Sequence, residues 1–230
     1  LKEGFYNGYY DNRGKQVEGT VTGRIRMMLP SQVFAIMSGT ANEQQIASIW
    51  KQAQKHLYDK KLCGFRLNSD FDSLYMDLGR AFGFAYGEKE NGAFFNHMVI
   101  MFAAALFERG FIYEGRTVLD SVYTMSTKPH AHIYPLIPEY FNNEGKGLYS
   151  YLTGSASWYM HTLLSYVAGI RFHFGDLTIQ PSLFAHDIAP KGLELIITWN
   201  TKRLHITFHK KNTAKGLLSL TKCSLGKKEI

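Results

Sequence analysis

The sequence is poor in cysteine and lacks a long uninterrupted hydrophobic run. Only 2 of the 230 residues are cysteine, Cys63 and Cys223. That is too few for a disulfide scaffold or a four-cysteine zinc site. The longest apolar run covers residues 98–107, whereas a membrane-spanning helix needs about 20 apolar residues. The sequence therefore excludes the disulfide-rich class and predicts no membrane span.

The amino terminus also lacks the basic start and apolar centre of a signal peptide. Because the chain starts at Leu1, we expect a piece of a longer protein. The low number of cysteines suits a reducing compartment, and we expect the cytoplasm. The composition is 45% hydrophobic and 14% aromatic, which excludes a disordered chain. It predicts one sizeable core with room for a small second domain.

Acidic residues are scarce only near the carboxyl terminus. Residues 191–230 hold 9 Lys and Arg against 2 Asp and Glu, which accounts for the whole net charge of +7. A basic tail can bind nucleic acid or an anionic surface, but these lysines stand singly or in pairs. The pattern favours a solvated strand face, and we expect neither nucleic acid nor a membrane among the partners.

Helical periodicity dominates the chain before residue 172. Residues 41–57, behind a Thr40-x-x-Glu43 capping box, and residues 114–125 are apolar on one side only, which predicts outer helices. Residues 31–37, 97–107 and 155–168 are apolar all round, which predicts helices enclosed by neighbours, the last of them ending at Gly169. This alternation is typical of a ring of helices inside another ring.

Strand periodicity replaces it after residue 172. Apolar and polar residues alternate over residues 193–197 and 204–208, and the intervening WNTKR predicts a hairpin turn. The sequence therefore predicts a mainly α protein with a carboxyl-terminal antiparallel β domain, divided into residues 1–172 and 173–230.

The segment YLTGSASW is the first of three that can carry chemistry. Thr153 and Gly154 come directly before a predicted helix, where free backbone N–H groups and the helix dipole favour an anion such as phosphate. The same residues also suit an ordinary capped helix start.

Two polar loops are the other candidates. The loop KENGAFF runs into His97, whose imidazole can donate to phosphate or simply cap a core helix. The loop IPEYFNNEGKG contains Glu139 and mixes acids, amides and aromatic rings, as sugar sites do, although a solvated loop has a similar composition. His130-x-His132 has no third ligand in view, so we expect no metal site.

Together these segments resemble glycoside hydrolase family 94, the inverting phosphorylases. Matching stretches run nearly end to end and follow the family order: GYYDNRGK, GRIRMMLPSQVFAIMSGTA, KENGAFFNH, AAALFERG, IPEYFNNEGKG, YLTGSASWY and GDLTIQPSL. The combination is more specific than any single stretch.

The resemblance implies the carboxyl-terminal part of a catalytic (α/α)6 barrel followed by a small jelly-roll-like β domain. It implies that His97, Thr153 and Gly154 bind inorganic phosphate, that Lys89 contacts the acceptor sugar, and that Glu139 faces the sugar whose bond is cleaved. The implied partners are a β-linked di- or oligosaccharide and phosphate. No cofactor is implied, because phosphate is a substrate, and the resemblance allows a homodimer without requiring one.

One expected part is missing from this sequence. The general acid of the family is an aspartate in a W-N-D-like stretch upstream of the segment resembling GYYDNRGK, and these 230 residues contain no such stretch. The chain is therefore expected to hold half an active site and no catalytic residue. Two other interpretations remain at this point: the phosphorylase-like domain of a cyclic β-1,2-glucan synthase, and a catalytically inactive carbohydrate-binding remnant.

Overall fold

A computed structural model of the chain describes residues 1–151, 153–199, 201–211, 214–226 and 228–229. The chain divides into two compact units, Leu1–Thr162 and Leu163–Ile230. The described α-helices are α1 (Leu29–Met37), α2 (Glu43–His56), α3 (Asn96–Glu108), α4 (Ile112–Thr127) and α5 (Gly154–Thr162), all in the first unit.

Helix α3 forms the centre of the first unit. It contacts α1, α4 and α5, and Phe102, Ala103 and Leu106 have no exposed surface. Because it is apolar on every side, only enclosure by neighbours removes its surface from water, and each fully buried Leu or Phe side chain contributes about 2 kcal/mol. The prediction of an enclosed helix over residues 97–107 is confirmed.

Helices α1 and α5 are covered on one side only. Phe34 and Met37 on α1 are 55% and 41% exposed, and Met160 on α5 is 54% exposed. The prediction that these two helices are also enclosed all round is wrong for this chain. Each packs against α3, and the exposed fractions of these three side chains show that this packing leaves part of each apolar surface uncovered.

Helices α2 and α4 have the predicted one-sided character. Helix α2 buries Ile46, Ile49 and Ala53, while α4 buries a stripe that includes Val118 and Val122. The predicted Thr40 and Glu43 capping box is wrong. Asn42 is the N-cap of α2 and exchanges hydrogen bonds of 2.9 Å with Gln45. Because α2 begins at Glu43, the capping position falls at residue 42.

A buried carboxylate attaches the amino-terminal segment to α1. Glu18 has no exposed surface, and its oxygens accept hydrogen bonds from the backbone N–H groups of Gly8, Tyr9 and Met28 and from Ser31 Oγ, at 2.5–2.9 Å. Burial raises the pKa of Glu18, and these hydrogen bonds oppose that rise. The arrangement fixes where α1 begins.

Short antiparallel strands connect the helices of the first unit. They are β1 (Gly19–Val21), β2 (Arg24–Arg26), β3 (Tyr58–Asp59), β4 (Gly64–Phe65), β5 (Phe94–Phe95), β6 (Tyr140–Phe141) and β7 (Gly147–Leu148). Strands β1 and β2 pair, as do β3 and β4, while β5, β6 and β7 form one sheet in that order. Since β5 leads directly into α3, this sheet brings residue 139 to the amino-terminal end of α3.

The second unit begins with a π-helix, Leu163–Val167, followed by Gly169 with a φ of +69°. A side chain at Gly169 would lie 1.9 Å from the carbonyl oxygen of Gln180, so only glycine fits this turn. The helical segment therefore ends where the sequence predicts.

Three separate two-stranded sheets follow in the second unit. Their strands are β8 (Ile170–His173), β9 (Asp176–Ile179), β10 (Leu193–Trp199), β11 (Lys202–Phe208), β12 (Ser224–Leu225) and β13 (Lys228–Glu229), paired in sequence order. The predicted alternation holds in β10 and β11, where Leu195 pairs with Ile206. The predicted hairpin turn WNTKR includes Asn200, which lies outside the described residues. The described residues form helices and small antiparallel sheets. They do not form a closed barrel.

Candidate functional site at the start of helix α3

The amino-terminal end of α3 is the point where the three predicted segments meet. Asn96, the first residue of the helix, is 1% exposed. Its backbone N–H donates to the carbonyl oxygen of Glu139 at 2.9 Å, and its Nδ2 donates to the carbonyl oxygen of Pro138 at 2.8 Å. Asn96 therefore fixes the Glu139 loop (residues 137–147) against the first turn of α3.

His97 faces the start of α5. A methyl group built on Gly154 would lie 2.6 Å from Cε1 and 2.9 Å from Nδ1 of His97, so the imidazole lies directly against the backbone at Gly154. The imidazole also lies near Trp158, and the two ring centroids are 6.1 Å apart. The imidazole occupies this position because residue 154 has no side chain. The structure thus brings together His97 and Gly154, which are 57 positions apart in the sequence.

Thr153 begins α5 as a cap. Its Oγ1 accepts a hydrogen bond from the backbone N–H of Ser155 at 3.2 Å and donates to Ser155 Oγ at 3.0 Å. The sequence predicts this hydroxyl as a donor to an anion, whereas in this structure it donates to Ser155 Oγ. Because a hydroxyl proton can rotate, Thr153 can keep its cap on the Ser155 N–H and turn its proton from Ser155 Oγ toward a bound anion.

Lys89 lies at the tip of a tight loop (residues 87–92, called the Lys89 loop). Its backbone has a φ of +47°, and the loop is closed by a 2.6 Å hydrogen bond from the Gly87 N–H to the carbonyl oxygen of Asn91. The Lys89 ammonium lies 4.7 Å from the ring centroid of Tyr149 and 5.4 Å from that of Phe84. A cation over two aromatic faces is held in place by the ring quadrupoles.

Two tyrosines connect Lys89 to the Glu139 loop. The rings of Tyr140 and Tyr149 are 6.0 Å apart, and the Tyr140 hydroxyl donates to Glu88 Oε2 at 3.3 Å. Burial, followed by the nearby Glu88 carboxylate, raises the pKa of Tyr140 to about 12, so its hydroxyl keeps its proton at neutral pH. The sequence predicts aromatic rings in this region only from the composition of the loop, without identifying these two.

Glu139 is placed by its backbone between these groups. Its N–H donates to the carbonyl oxygen of Tyr149 at 2.8 Å, and its side chain is half-buried. The site thus has two sides. His97, Thr153 and Gly154 supply donors at a helix start, which suits an anion, while Lys89, Tyr149 and Glu139 combine charge with an aromatic ring, which suits a sugar.

No cluster of three or more His, Cys, Asp or Glu side chains able to hold a metal ion occurs in the part of the chain that the structure describes. Among the described residues, too, we find no helix with the length and apolar character that crossing a membrane would demand.

Known proteins with similar sequences are disaccharide phosphorylases by name. The chain is 25% identical to the N,N'-diacetylchitobiose phosphorylase of Vibrio furnissii, over 93% of this chain and 28% of that protein. It is 26% identical to the cellobionic acid phosphorylase of Neurospora crassa, over 69% of this chain and 22% of that protein. For the solabiose phosphorylase of Paenibacillus borealis the identity is 24%, over 78% of this chain and 24% of that protein.

The chain therefore spans about a quarter of the length of these curated relatives. Residues 3–169 match the family described as the glycosyl hydrolase 94 superfamily, catalytic domain. Because this match covers the candidate site and well over half of the chain, the protein belongs to the glycosyl hydrolase 94 superfamily.

Proposed function

We propose that this chain is the phosphate-binding and acceptor-binding part of an inverting glycoside phosphorylase. The complete enzyme cleaves a β-glucosidic bond with inorganic phosphate and releases a sugar 1-phosphate. The observation that carries the proposal is the contact of the His97 imidazole with the backbone at Gly154, beside the Thr153 hydroxyl. Three segments far apart in the sequence converge at the start of α3, as a shared site requires.

In this reaction a phosphate oxygen attacks the anomeric carbon as the bond to the leaving oxygen breaks, and a general acid protonates that oxygen. Phosphate supplies its own nucleophilic oxygen, so the protein side that faces it needs donors instead of a second carboxylate. We assign this role to His97, Thr153 and the N–H group of Gly154, which hold the phosphate charge at the positive end of the α5 dipole. The aspartate that acts as general acid is expected outside this chain.

Lys89 and Glu139 are assigned to the sugars, Lys89 to the acceptor and Glu139 to the sugar whose bond is cleaved. The position of Lys89 over Tyr149 supports a sugar-facing role, because an aromatic face packs on sugar C–H groups while a cation binds hydroxyl oxygens. The helices α1 to α5 are proposed to form part of an (α/α)6 barrel, in which the exposed apolar side chains of α1 and α5 would be covered by further helices.

The proposal is tested by incubating the full-length protein with a panel of β-linked disaccharides, with and without inorganic phosphate. The panel includes N,N'-diacetylchitobiose and cellobionic acid, the sugars in the names of two relatives. We expect a phosphate-dependent sugar 1-phosphate of inverted anomeric configuration, detected by NMR. Hydrolysis that is equal with and without phosphate would contradict the proposal, as would sugar binding without any turnover.

A further inference from the structure

Arg66, which follows β4, has no role in the site described above, yet three segments meet at its guanidinium group. Its side chain is only 12% exposed. Nη2 lies 2.7 Å from Oδ2 of Asp59, while Nη1 donates to the carbonyl oxygen of Gly92 at 2.9 Å and to Oδ1 of Asn143 at 2.7 Å.

Two of these partners belong to the two sugar-facing loops. Gly92 ends the Lys89 loop, and Asn143 lies in the Glu139 loop. Asn143 also donates through Nδ2 to the carbonyl oxygen of Tyr86 at 2.7 Å, directly before the Lys89 loop. Arg66 and Asn143 thus hold both stems of the Lys89 loop and connect them to the Glu139 loop.

Hydrogen bonds and close packing fix the backbone at Gly92. Its carbonyl oxygen accepts from Arg66, and its N–H donates at 2.8 Å to Oδ1 of Asn68. Its φ is +73°, and a side chain there would lie 2.1 Å from the ring of Tyr86. Only glycine fits, and the peptide groups on either side of it have fixed orientations. His97 follows five residues later, through β5.

We propose that Arg66 is a positioning residue that fixes the Lys89 loop relative to His97 and Glu139 without touching substrate. This inference rests on the proposed function, because it concerns the placement of the sugar-facing side of that site. The planar guanidinium presents several N–H groups in fixed directions, so it binds Asp59, Gly92 and Asn143 at once, whereas a lysine ammonium cannot match all three directions. The rings of Phe94 and Tyr86, at 4.4 and 5.4 Å from the guanidinium carbon, hold the group in its plane.

The kinetic test compares Arg66→Lys with Arg24→Lys in the full-length protein. Arg24 also forms an ion pair with an aspartate, Asp72, but its side chain is 67% exposed, so its replacement controls for the loss of a guanidinium. For Arg66→Lys we expect the KM for the acceptor sugar to rise about tenfold. The KM for phosphate should stay within about twofold of wild type, because Arg66 does not hold Thr153 or Gly154. Equal rises in both KM values would indicate general damage and would overturn the proposal.

A second readout does not depend on turnover. Trypsin cleaves after lysine only where the chain can adopt an extended conformation, so the peptide bond after Lys89 reports how firmly the loop is held. We expect cleavage there, followed by mass spectrometry, to be about tenfold faster in Arg66→Lys than in Arg24→Lys. Equal cleavage rates in the two variants would overturn the positioning role. If the wild-type protein shows no turnover with any sugar, the proposed function fails, and the trypsin comparison still decides whether Arg66 holds the loop.

Discussion

The two sides of the candidate site are held in place by different means. The start of α5 is capped locally, because Thr153 accepts from Ser155 two residues away, and its long-range contact described above is the packing of Gly154 against His97. The Lys89 loop is fixed from a distance, by Arg66 and Asn68 at Gly92 and by Asn143 at Tyr86. The comparison teaches that a motif of a few residues can define the capped start of α5, whereas the Lys89 loop depends on polar side chains far from it in the sequence.

The largest expected effect is at the contact between the two segments of the phosphate side. In Gly154→Ala the new methyl group would lie 2.6 Å from His97 Cε1 and would push the imidazole aside, since the ring can rotate. We expect kcat/KM for phosphate to fall about 100-fold, the cost of a misplacement of about 1 Å. Thermal stability should change little.

Gly83→Ala is the matched control for that variant. A side chain at Gly83 meets only Met76, at 3.5 Å, which is an ordinary contact. Steady-state kinetics at varied phosphate should therefore resemble wild type. A Gly154→Ala protein with wild-type kinetics would show that the close contact with His97 has no part in phosphate use.

The second largest effect is expected on the sugar side of the site, at the buried side chain that holds the Lys89 loop. Asn68 has no exposed surface, and Asn68→Ala leaves the buried N–H of Gly92 without its acceptor. We expect the free energy of unfolding to fall by about 2 kcal/mol, the cost of an unsatisfied buried donor. Urea unfolding measures this change, with the exposed Asn12→Ala as the control. An unchanged free energy of unfolding would mean that Asn68 does not hold the Lys89 loop.

A smaller effect is expected at the hydroxyl of Thr153. Thr153→Val removes both the cap of Ser155 and a donor to phosphate, and we expect the phosphate KM to rise about tenfold, equivalent to one hydrogen bond. Thr153→Ser keeps the hydroxyl and should stay close to wild type. Thr117→Val, on the exposed side of α4, controls for the substitution itself. If Thr153→Ser and Thr153→Val behave alike, the hydroxyl is not the relevant group.

The smallest effect is a pH dependence at Asp59. Burial acts to raise the pKa of Asp59, but the hydrogen bonds from Arg66 and from the backbone of Leu62 and Lys61 outweigh it and lower that pKa below its ordinary value of 3.8. The interaction therefore stabilises the fold fully above pH 3.8 and is lost as the pH falls further, through the lower pKa of the folded state.

We expect the melting temperature of Asp59→Asn to fall less steeply than that of wild type between about pH 5 and about pH 2.5. The difference should correspond to less than about 1 kcal/mol, because part of the Asp59 side chain is exposed. Asp120→Asn, which removes an ion-pair carboxylate of α4 that is 52% exposed, is the control. Parallel curves for wild type and Asp59→Asn would contradict this account of the carboxylate.

The contrast between local contacts and contacts of distant residues also explains which features the sequence could predict. The helix over residues 97–107 and the alternation in β10 and β11 follow from the periodicity of apolar residues. The segments around His97 and Thr153 stand out because glycine and polar residues precede apolar helices there. These features are local, so a linear pattern contains them.

The features that sequence analysis missed are set by contacts between distant residues. Arg66 follows a two-residue strand, and nothing nearby in the sequence indicates that its partners are Gly92 and Asn143. The sequence predicts the cap of α2 at Thr40 because Thr40 and Asn42 are both polar, and each has a possible capping partner three residues later. The residue at which the helix begins decides between them. The exposed faces of α1 and α5 depend on which neighbours are present, which periodicity does not report.

The most direct test of the division into two sides is a crossed kinetic comparison in the full-length protein. The KM values for phosphate and for the acceptor sugar are measured in Thr153→Val and in Lys89→Met. The account predicts opposite results: Thr153→Val raises the phosphate KM and leaves the acceptor KM unchanged, while Lys89→Met does the reverse. Equal changes in both KM values in both variants would contradict it.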